Sequence, residues 1–517
     1  MRKFTKNLWN YGVWISPLIM AAGILYLRLN EPSLLHSWQH IGILIFLSLL
    51  PALLIYIQSI NQPSAELAEQ GKAKAMYPPV PDQLKFKVPT GFVLGKDKKF
   101  YIGKPFDLDG HACIIGGSGA GKSSSHVIPT ILSALKAGVF AVDIKGELSR
   151  TTVKKGDPNI HIINPKDRTS CGWNPFYRLN EQSTAQDIDE TMRMIAYSLI
   201  PLPADIKDPF WKQSARSLLI GLLTYYYDSG QHDLISIVDS IKERPIRESV
   251  ASAIETLHPE SYSYRYLIEF KDLADETFTG ITREIDNHLM IFVTNEDVRY
   301  MFKFNPHRAD PSLLDEGHRI FLSIHENALT SLYDVIQLIV NQTLMSLEAR
   351  SEDAPAVVVL LDELPRLVSA GKIEKLTDAV KTLRSRNVTL ILVIQSVDGL
   401  MCAYTEHEVY DLLSNCSYIA VLSATTPNTQ KMICDWVGKY KCKKQAWNRN
   451  GKDYKISVSF DDMDIVEPSE LMTLSNTGEV VLITPYGYFR VKKVPYYSDP
   501  ILSKQAAEIK EYNDAVK

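Results

Sequence analysis

Cysteine is scarce and scattered. The six residues, Cys113, Cys171, Cys402, Cys416, Cys434 and Cys442, form no C-x-x-C pair and no Cys/His cluster at zinc spacing. They read as reduced, mostly buried thiols of a cytosolic domain with no zinc site. An excess of positive charge is also missing, since 56 Lys+Arg against 60 Asp+Glu leave a net charge of −4. Any nucleic-acid surface must then be a local patch, such as a groove or a pore lining. No internal repeat, no extended low-complexity segment and no L-S-G-G-Q stretch occurs. Lack of the last, together with too few apolar spans to line a solute path, speaks against an ABC transporter.

At 517 residues the chain exceeds the size at which a single core keeps growing, so two or three compact units are expected. Its most informative stretch is Gly116-Gly117-Ser118-Gly119-Ala120-Gly121-Lys122-Ser123, which fits G-x-x-x-x-G-K-[ST] between an apolar run, His111 to Ile115, and a helical pattern, Ser124 to Leu135. Gly-rich backbone at a strand-to-helix turn directs N–H groups at an anion, and the helix terminus adds its dipole. This predicts an ATP site in which Lys122 reaches the outer phosphates and the Ser123 hydroxyl binds Mg²⁺.

Two uncharged apolar runs, 11–27 and 41–57, are each close to the minimum length for a membrane-crossing helix. Trp9, Tyr11, Trp14, Tyr26, Trp38 and Tyr56 stand near their ends, as interfacial belts require. Arg2, Lys3 and Lys6 precede the first run, so the positive-inside rule puts the N-terminus and the long C-terminal part in the cytoplasm. A cleaved leader is the competing reading of the first run. It is disfavoured because a second span follows at once and export would separate the P-loop from cytosolic nucleotide.

Short β-branched apolar runs recur at 112–115, 138–143, 161–163, 319–324, 356–361, 389–394 and 418–422. Apolarity that is continuous rather than alternating predicts a parallel α/β sheet buried on both faces. Between 177 and 305 helical periodicity dominates, as in Phe210-Trp211, Ala215, Leu218-Leu219 and Leu222. The expected organisation is a transmembrane anchor (1–60), a linker (61–91), a nucleotide domain (92–177 and 306–500), an inserted all-α domain (178–305) and a C-terminal tail (501–517) read as a solvated helix in preference to a docking peptide.

Hydrolysis needs carboxylates where a strand emerges beside the phosphates. The run Ala356 to Leu361 ends in Asp362-Glu363, so Asp362 is expected to hold the Mg²⁺ shell and Glu363 to polarise the attacking water. The next strand ends in Gln395, placed to bond the γ-phosphate or the water. Upstream, Arg384 and Arg386 are expected near the nucleotide end of the sheet, where either could reach a neighbouring subunit's γ-phosphate; the alternative for either is a surface or DNA-facing charge.

These residues resemble the type IV secretion coupling proteins, the TraG/TraD class of conjugative DNA-pumping ATPases. The resemblance covers nearly the whole chain and rests on His111 before the P-loop, Asp143-Ile144-Lys145-Gly146-Glu147-Leu148, Trp173-Asn174-Pro175-Phe176, Asp208-Pro209-Phe210-Trp211, Phe278-Thr279-Gly280-Ile281, Leu361-Asp362-Glu363-Leu364 and Gln395-Ser396. It implies a RecA-like P-loop NTPase domain with an inserted all-α domain, preceded by a two-helix transmembrane hairpin and assembled as a homo-hexamer in the bacterial inner membrane. An Arg eleven places before the strand-end Gln acts in trans in that family, which prefers Arg384 to Arg386. Implied partners are single-stranded DNA, with duplex DNA as a second candidate, a relaxase or relaxosome, and the secretion-channel proteins. The P-loop lacks the family's frequent Pro-Thr after its first glycine, and Leu364-Pro365-Arg366 replaces the usual Phe and small residues. For Asp143, Lys145 and Glu147 two readings stand: a nucleotide-side or intersubunit contact, or a helix cap with surface charges. Other readings of the whole are a protein-only secretion ATPase, an FtsK-like DNA translocase and a non-hydrolysing docking receptor.

Overall fold

The computed structural model describes residues 20–26, 28–30, 45, 77–202, 206–450 and 453–516, with backbone alone over 442–461. The runs 11–27 and 41–57 fall largely outside these residues. Among the described residues no helix is long and apolar enough to cross a membrane. The chain divides into two units, Met1–Met76 and Tyr77–Lys517, and the described strands all belong to the second.

They are β1 (Lys85–Phe86), β2 (Phe92–Asp97), β3 (Phe100–Lys104), β4 (Ala112–Ile115), β5 (Gly138–Asp143), β6 (Ile160–Ile163), β7 (Gly172–Trp173), β8 (Arg308–Ala309), β9 (Arg319–Ser323), β10 (Val357–Leu361), β11 (Val388–Ile394), β12 (Tyr418–Val421), β13 (Lys439–Asn450), β14 (Asp453–Asp464), β15 (Glu479–Thr484) and β16 (Gly487–Lys492). Twelve of them form one sheet in the order β1-β3-β2-β16-β15-β12-β4-β11-β10-β5-β9-β6. From β12 to β6 the neighbours are parallel; from β1 to β15, and between β15 and β12, they are antiparallel.

The parallel strands β4, β5, β10, β11 and β12 are buried on both faces because successive side chains enter different cores. Cys113, Ile115, Phe140 and Val142 join one cluster, while Ala112, Ile114, Val139 and Ala141 join the other. Loss of one such ring, as in Phe140→Ala, typically costs about 3–5 kcal/mol.

Between β7 and β8 the described residues carry helices and no strand, among them Ala185–Leu199, Phe210–Asp228, Leu234–Glu243 and Asp275–Thr294. Thr184 opens the first with a capping box, its hydroxyl accepting from the Asp187 N–H while the Asp187 carboxylate accepts from the Thr184 N–H. Leu218, Leu222, Ile285 and Leu289 of this helical stretch belong to the same core as Phe140 and Val142.

Three segments depart from the sequence reading. The stretch read as linker carries a 3₁₀ turn, Asp82–Leu84, and β1, with Leu84 fully buried. The tail read as a solvated helix forms Pro500–Ala515 and docks. Leu502 and Ile509 are buried, and the Asn513 amide donates to the Val153 carbonyl while its oxygen accepts from the Lys155 N–H. The antiparallel pair β13 and β14 forms its own two-stranded sheet, where no strand is expected from the sequence.

Candidate active site

The parallel register brings three strand ends together. Ile115 of β4 pairs with Ile394 of β11, and Leu361 of β10 pairs with Leu392 of β11 and Val142 of β5. The P-loop, Gln395, Asp362-Glu363 and Asp143 therefore emerge along one edge of the sheet, from β4, β11, β10 and β5 in that order. Sequence separation hides this, because the four strands are not consecutive in the chain.

The P-loop is fixed from several sides. Gly116 N–H donates to the Ile394 carbonyl (3.1 Å), and Gly117 N–H donates to Ser423 Oγ (2.9 Å). Lys493 Nζ donates to the Ala120 carbonyl (3.0 Å). A Cβ at Gly116 would meet Leu422 Cβ at 3.1 Å and Ala120 Cβ at 3.2 Å, and Gly121 has φ +89°, which a larger residue resists. A π-helical turn, Ser123–Val127, leads into the helix Ile128–Ser133. Sequence reasoning misses Ser423 and Lys493; the position of Ser423 beyond an apolar run is the available signal.

Lys122 is buried, and its Nζ donates to the carbonyls of Gly116 (2.8 Å) and Gly117 (3.3 Å) and lies 4.0 Å from Glu363 Oε1. Glu363 is 4 % exposed. Its Oε2 accepts from Gln395 Nε2 (2.7 Å) and its Oε1 from Lys145 Nζ (3.2 Å). Burial alone would push this carboxyl up, but Lys122, the Gln395 amide and Lys145 together hold it below the ordinary glutamate value. Asp362 behaves oppositely: burial, reinforced by the Glu363 charge and opposed by Lys122, pushes it up to about 7. Two adjacent carboxyls are thus driven apart, one kept ionised and one inclined to hold a proton. Glu363 has a left-handed backbone, φ 51°, which costs on the order of 1 kcal/mol for a residue with a Cβ.

Asp143 ties the end of β5 to the helix that follows. Its Oδ2 accepts from Ser149 N–H and Oγ, each at 2.9 Å, and so satisfies a first-turn N–H of the helix Glu147–Thr152, whose N-cap residue is Gly146. Its Oδ1 is buried without a hydrogen-bond partner. Lys145 reaches Glu363, whereas Glu147 opens the helix.

Arg384 lies elsewhere, and the expectation that it sits near the nucleotide end is corrected. It is in the turn Leu383–Arg386 before β11, whereas Gln395 follows β11, so the seven-residue strand, about 20 Å long, separates them. Its Nε donates to Asp109 Oδ2 (3.0 Å), and both side chains are more than half exposed. Arg386, 3.9 Å from Glu352, belongs to the same edge. A single chain brings neither guanidinium to Lys122.

The residues suit Mg²⁺ by donor type. Asp362 and the Ser123 hydroxyl are oxygen donors, and no group of three or more His, Cys, Asp or Glu among the described residues could form an all-protein metal cage. Mg²⁺ commonly takes one or two protein oxygens and completes its shell with phosphates and water. A cation beside Asp362 would also offset the burial that raises its pKa.

Residues 83–517 match the family described as "Type IV secretory system Conjugative DNA transfer". The VirD4 protein of Agrobacterium fabrum is 23 % identical over 410 residues, covering 76 % of this chain and 60 % of the relative. VirD4 of Rhizobium radiobacter is 25 % identical over 414 residues, covering 76 % and 58 %. The chain thus spans about 60 % of the length of the curated relatives it matches. Among solved structures, the unbound monoclinic form of the bacterial conjugative coupling protein TrwBdeltaN70 aligns with TM-score 0.62 at 18 % identity, over 80 % of this chain and 90 % of that one. TrwB in complex with the non-hydrolysable ATP analogue ADPNP aligns with TM-score 0.61 at 18 % identity, over 80 % and 91 %. The shared architecture is a RecA-like α/β fold with a large, mainly parallel sheet. With the match extending over 83–517, the chain belongs to the type IV secretory system conjugative DNA transfer family.

Proposed function

We propose that this chain is a membrane-anchored ATPase that couples ATP hydrolysis to the recruitment and movement of relaxase-bound single-stranded DNA into a type IV secretion channel. The observation that carries the reading is the convergence of Lys122, Asp362, Glu363 and Gln395 at one sheet edge, in a chain of the conjugative DNA transfer family. The P-loop N–H groups from Gly116 to Ser123 would bind the phosphates, with Lys122 turning from the P-loop carbonyls to the outer ones. Mg²⁺, held by Ser123 and Asp362, would neutralise phosphate charge. Glu363 would take the proton of the attacking water, and its low pKa keeps it ready to do so. Gln395, bonded to Glu363, would orient that water.

The remote position of Arg384 supports a shared site in a homo-hexamer. An exposed guanidinium at the opposite edge of the sheet can complete charge stabilisation only in a neighbour. The apolar runs 11–27 and 41–57 support anchoring as a hairpin in the bacterial cytoplasmic membrane, with the ATPase part in the cytoplasm. The domain division and the docking roles for a relaxase and channel proteins belong to the same proposal. Little base preference is expected, since a pump grips phosphates and stacked bases.

The test is ATP turnover by the detergent-solubilised chain with and without single-stranded DNA, beside Lys122→Ala. Stimulation by DNA that disappears in the variant is expected. Turnover indifferent to DNA in an assembled preparation would overturn the DNA-motor reading in favour of a protein-only motor.

A further inference from the structure

Glu363 stands at the end of β10, between the ends of β11 and β5, and it is tethered from both sides. From β11 comes Gln395, bonded to Oε2; from the β5 side comes Lys145, bonded to Oε1 at 3.2 Å. The two cations near this carboxylate differ in their commitments. Lys122 Nζ is 4.0 Å away and bonded to two P-loop carbonyls, and a P-loop lysine is drawn to phosphate. Lys145 Nζ directs its bond at Glu363.

The backbone that carries Lys145 is itself fixed. Two residues earlier, the fully buried Asp143 ties the strand end to the first turn of Glu147–Thr152 through Ser149 N–H and Oγ. One residue later, Gly146 adopts φ 63°, turning the chain into that helix. The parallel pair Leu361 and Val142 sets β5 beside β10 just before these ends. The Lys145 side chain is 48 % exposed while its partner is 6 % exposed, so the lysine spans from the rim to a buried carboxylate.

We propose that Lys145 is a positioning residue for Glu363, fixing one carboxylate oxygen from β5 while Gln395 fixes the other from β11. This rests on the reading of Glu363 as the base that activates water. Displacement of a reacting group by about 1 Å can cost roughly 100-fold in rate, so releasing one of two tethers should slow the chemical step and leave nucleotide binding in place.

The experiment compares wild type, Lys145→Met, Lys145→Arg and Glu363→Gln in the full-length chain. It measures kcat and KM for ATP with single-stranded DNA present, the Kd of a fluorescent ADP analogue, and the thermal unfolding midpoint. Lys145→Met should lower kcat roughly tenfold or more, with the ADP-analogue Kd within about twofold and an unchanged midpoint. Lys145→Arg, which keeps charge and reach, should recover most of kcat. Unchanged kcat in Lys145→Met would overturn the proposal, as would an equal loss in both Lys145 variants or a loss matched by weaker ADP-analogue binding. Glu363→Gln separates the two claims. If it retains turnover, the base assignment fails; if it is inactive while Lys145→Met is normal, only the role of Lys145 fails.

Discussion

His111 and His126 are fully buried beside the P-loop strand and helix, and burial pushes each imidazole down to about 4. Lys104 and Arg384 also oppose a charge on His111, with Asp109 working the other way; Lys493 opposes one on His126, whose Nδ1 bonds the Val93 carbonyl. In the unfolded chain both rings would titrate near the ordinary value, about 6.5. Between about 6.5 and 4 these two rings therefore bind more protons in the unfolded state, and their contribution to stability falls as pH falls. The two rings therefore draw the unfolding midpoint down between about pH 6.5 and pH 4, against Asp362, whose raised value of about 7 favours the folded state as pH falls through the same range. The His126→Gln variant, measured at pH 7 and pH 5, should show a smaller drop than wild type.

Among the elements, the helix Pro500–Ala515 reads as solvated because its sequence mixes Lys, Glu and Ala with few large apolar residues. Two of them, Leu502 and Ile509, nevertheless bury against the core that holds Ile114 and Ile128. Asp499 caps its start through the N–H groups of Ile501 and Leu502, while accepting from Tyr101 and Lys96. Each fully buried Leu or Ile contributes about 1.5–3 kcal/mol. Truncation after Asp499 should therefore destabilise the chain by about 3 kcal/mol or more, read as a lower denaturant midpoint. β13 and β14 escape a search for continuous apolar runs, although the alternation of Tyr454, Ile456, Val458 and Phe460 after Asn450-Gly451 is an available hairpin signal. Their sequences, KYKCKKQAWNRN and DYKISVSFDDMD, are mostly polar and form a sheet apart from the large one, so no continuous apolar run marks them. By contrast β4 and β5 have the bounds that their apolar runs predict.

At the scale of the whole molecule, the distance between Arg384 and the P-loop edge makes assembly the variable to test under the proposed shared site. In a ring, a chain with an intact Glu363 but Arg384→Ala could be completed by a neighbour carrying Arg384 with Glu363→Ala. Mixing the two inactive chains should recover part of the ATP turnover, with a maximum at intermediate ratios. Absence of recovery at every ratio, with mixed assembly verified by pull-down between differently tagged chains, would sink the shared-site reading.

The sequence by itself determined the P-loop, the Asp362-Glu363 pair, the Gln395 strand end and the parallel strands. Each depends on local chemistry or on apolarity imposed by burial from both faces, and such signals survive in a linear reading. Only the tertiary structure decided which groups meet. Strand order is set by crossovers and by packing between distant segments, so nothing in residue spacing places β5 and β11 on either side of β10. That order brings Lys145 and Gln395 to opposite oxygens of Glu363 and Ser423 to the P-loop. It also puts Arg384 at the far edge of the sheet, because eleven residues in sequence become a full strand length when the intervening chain is extended.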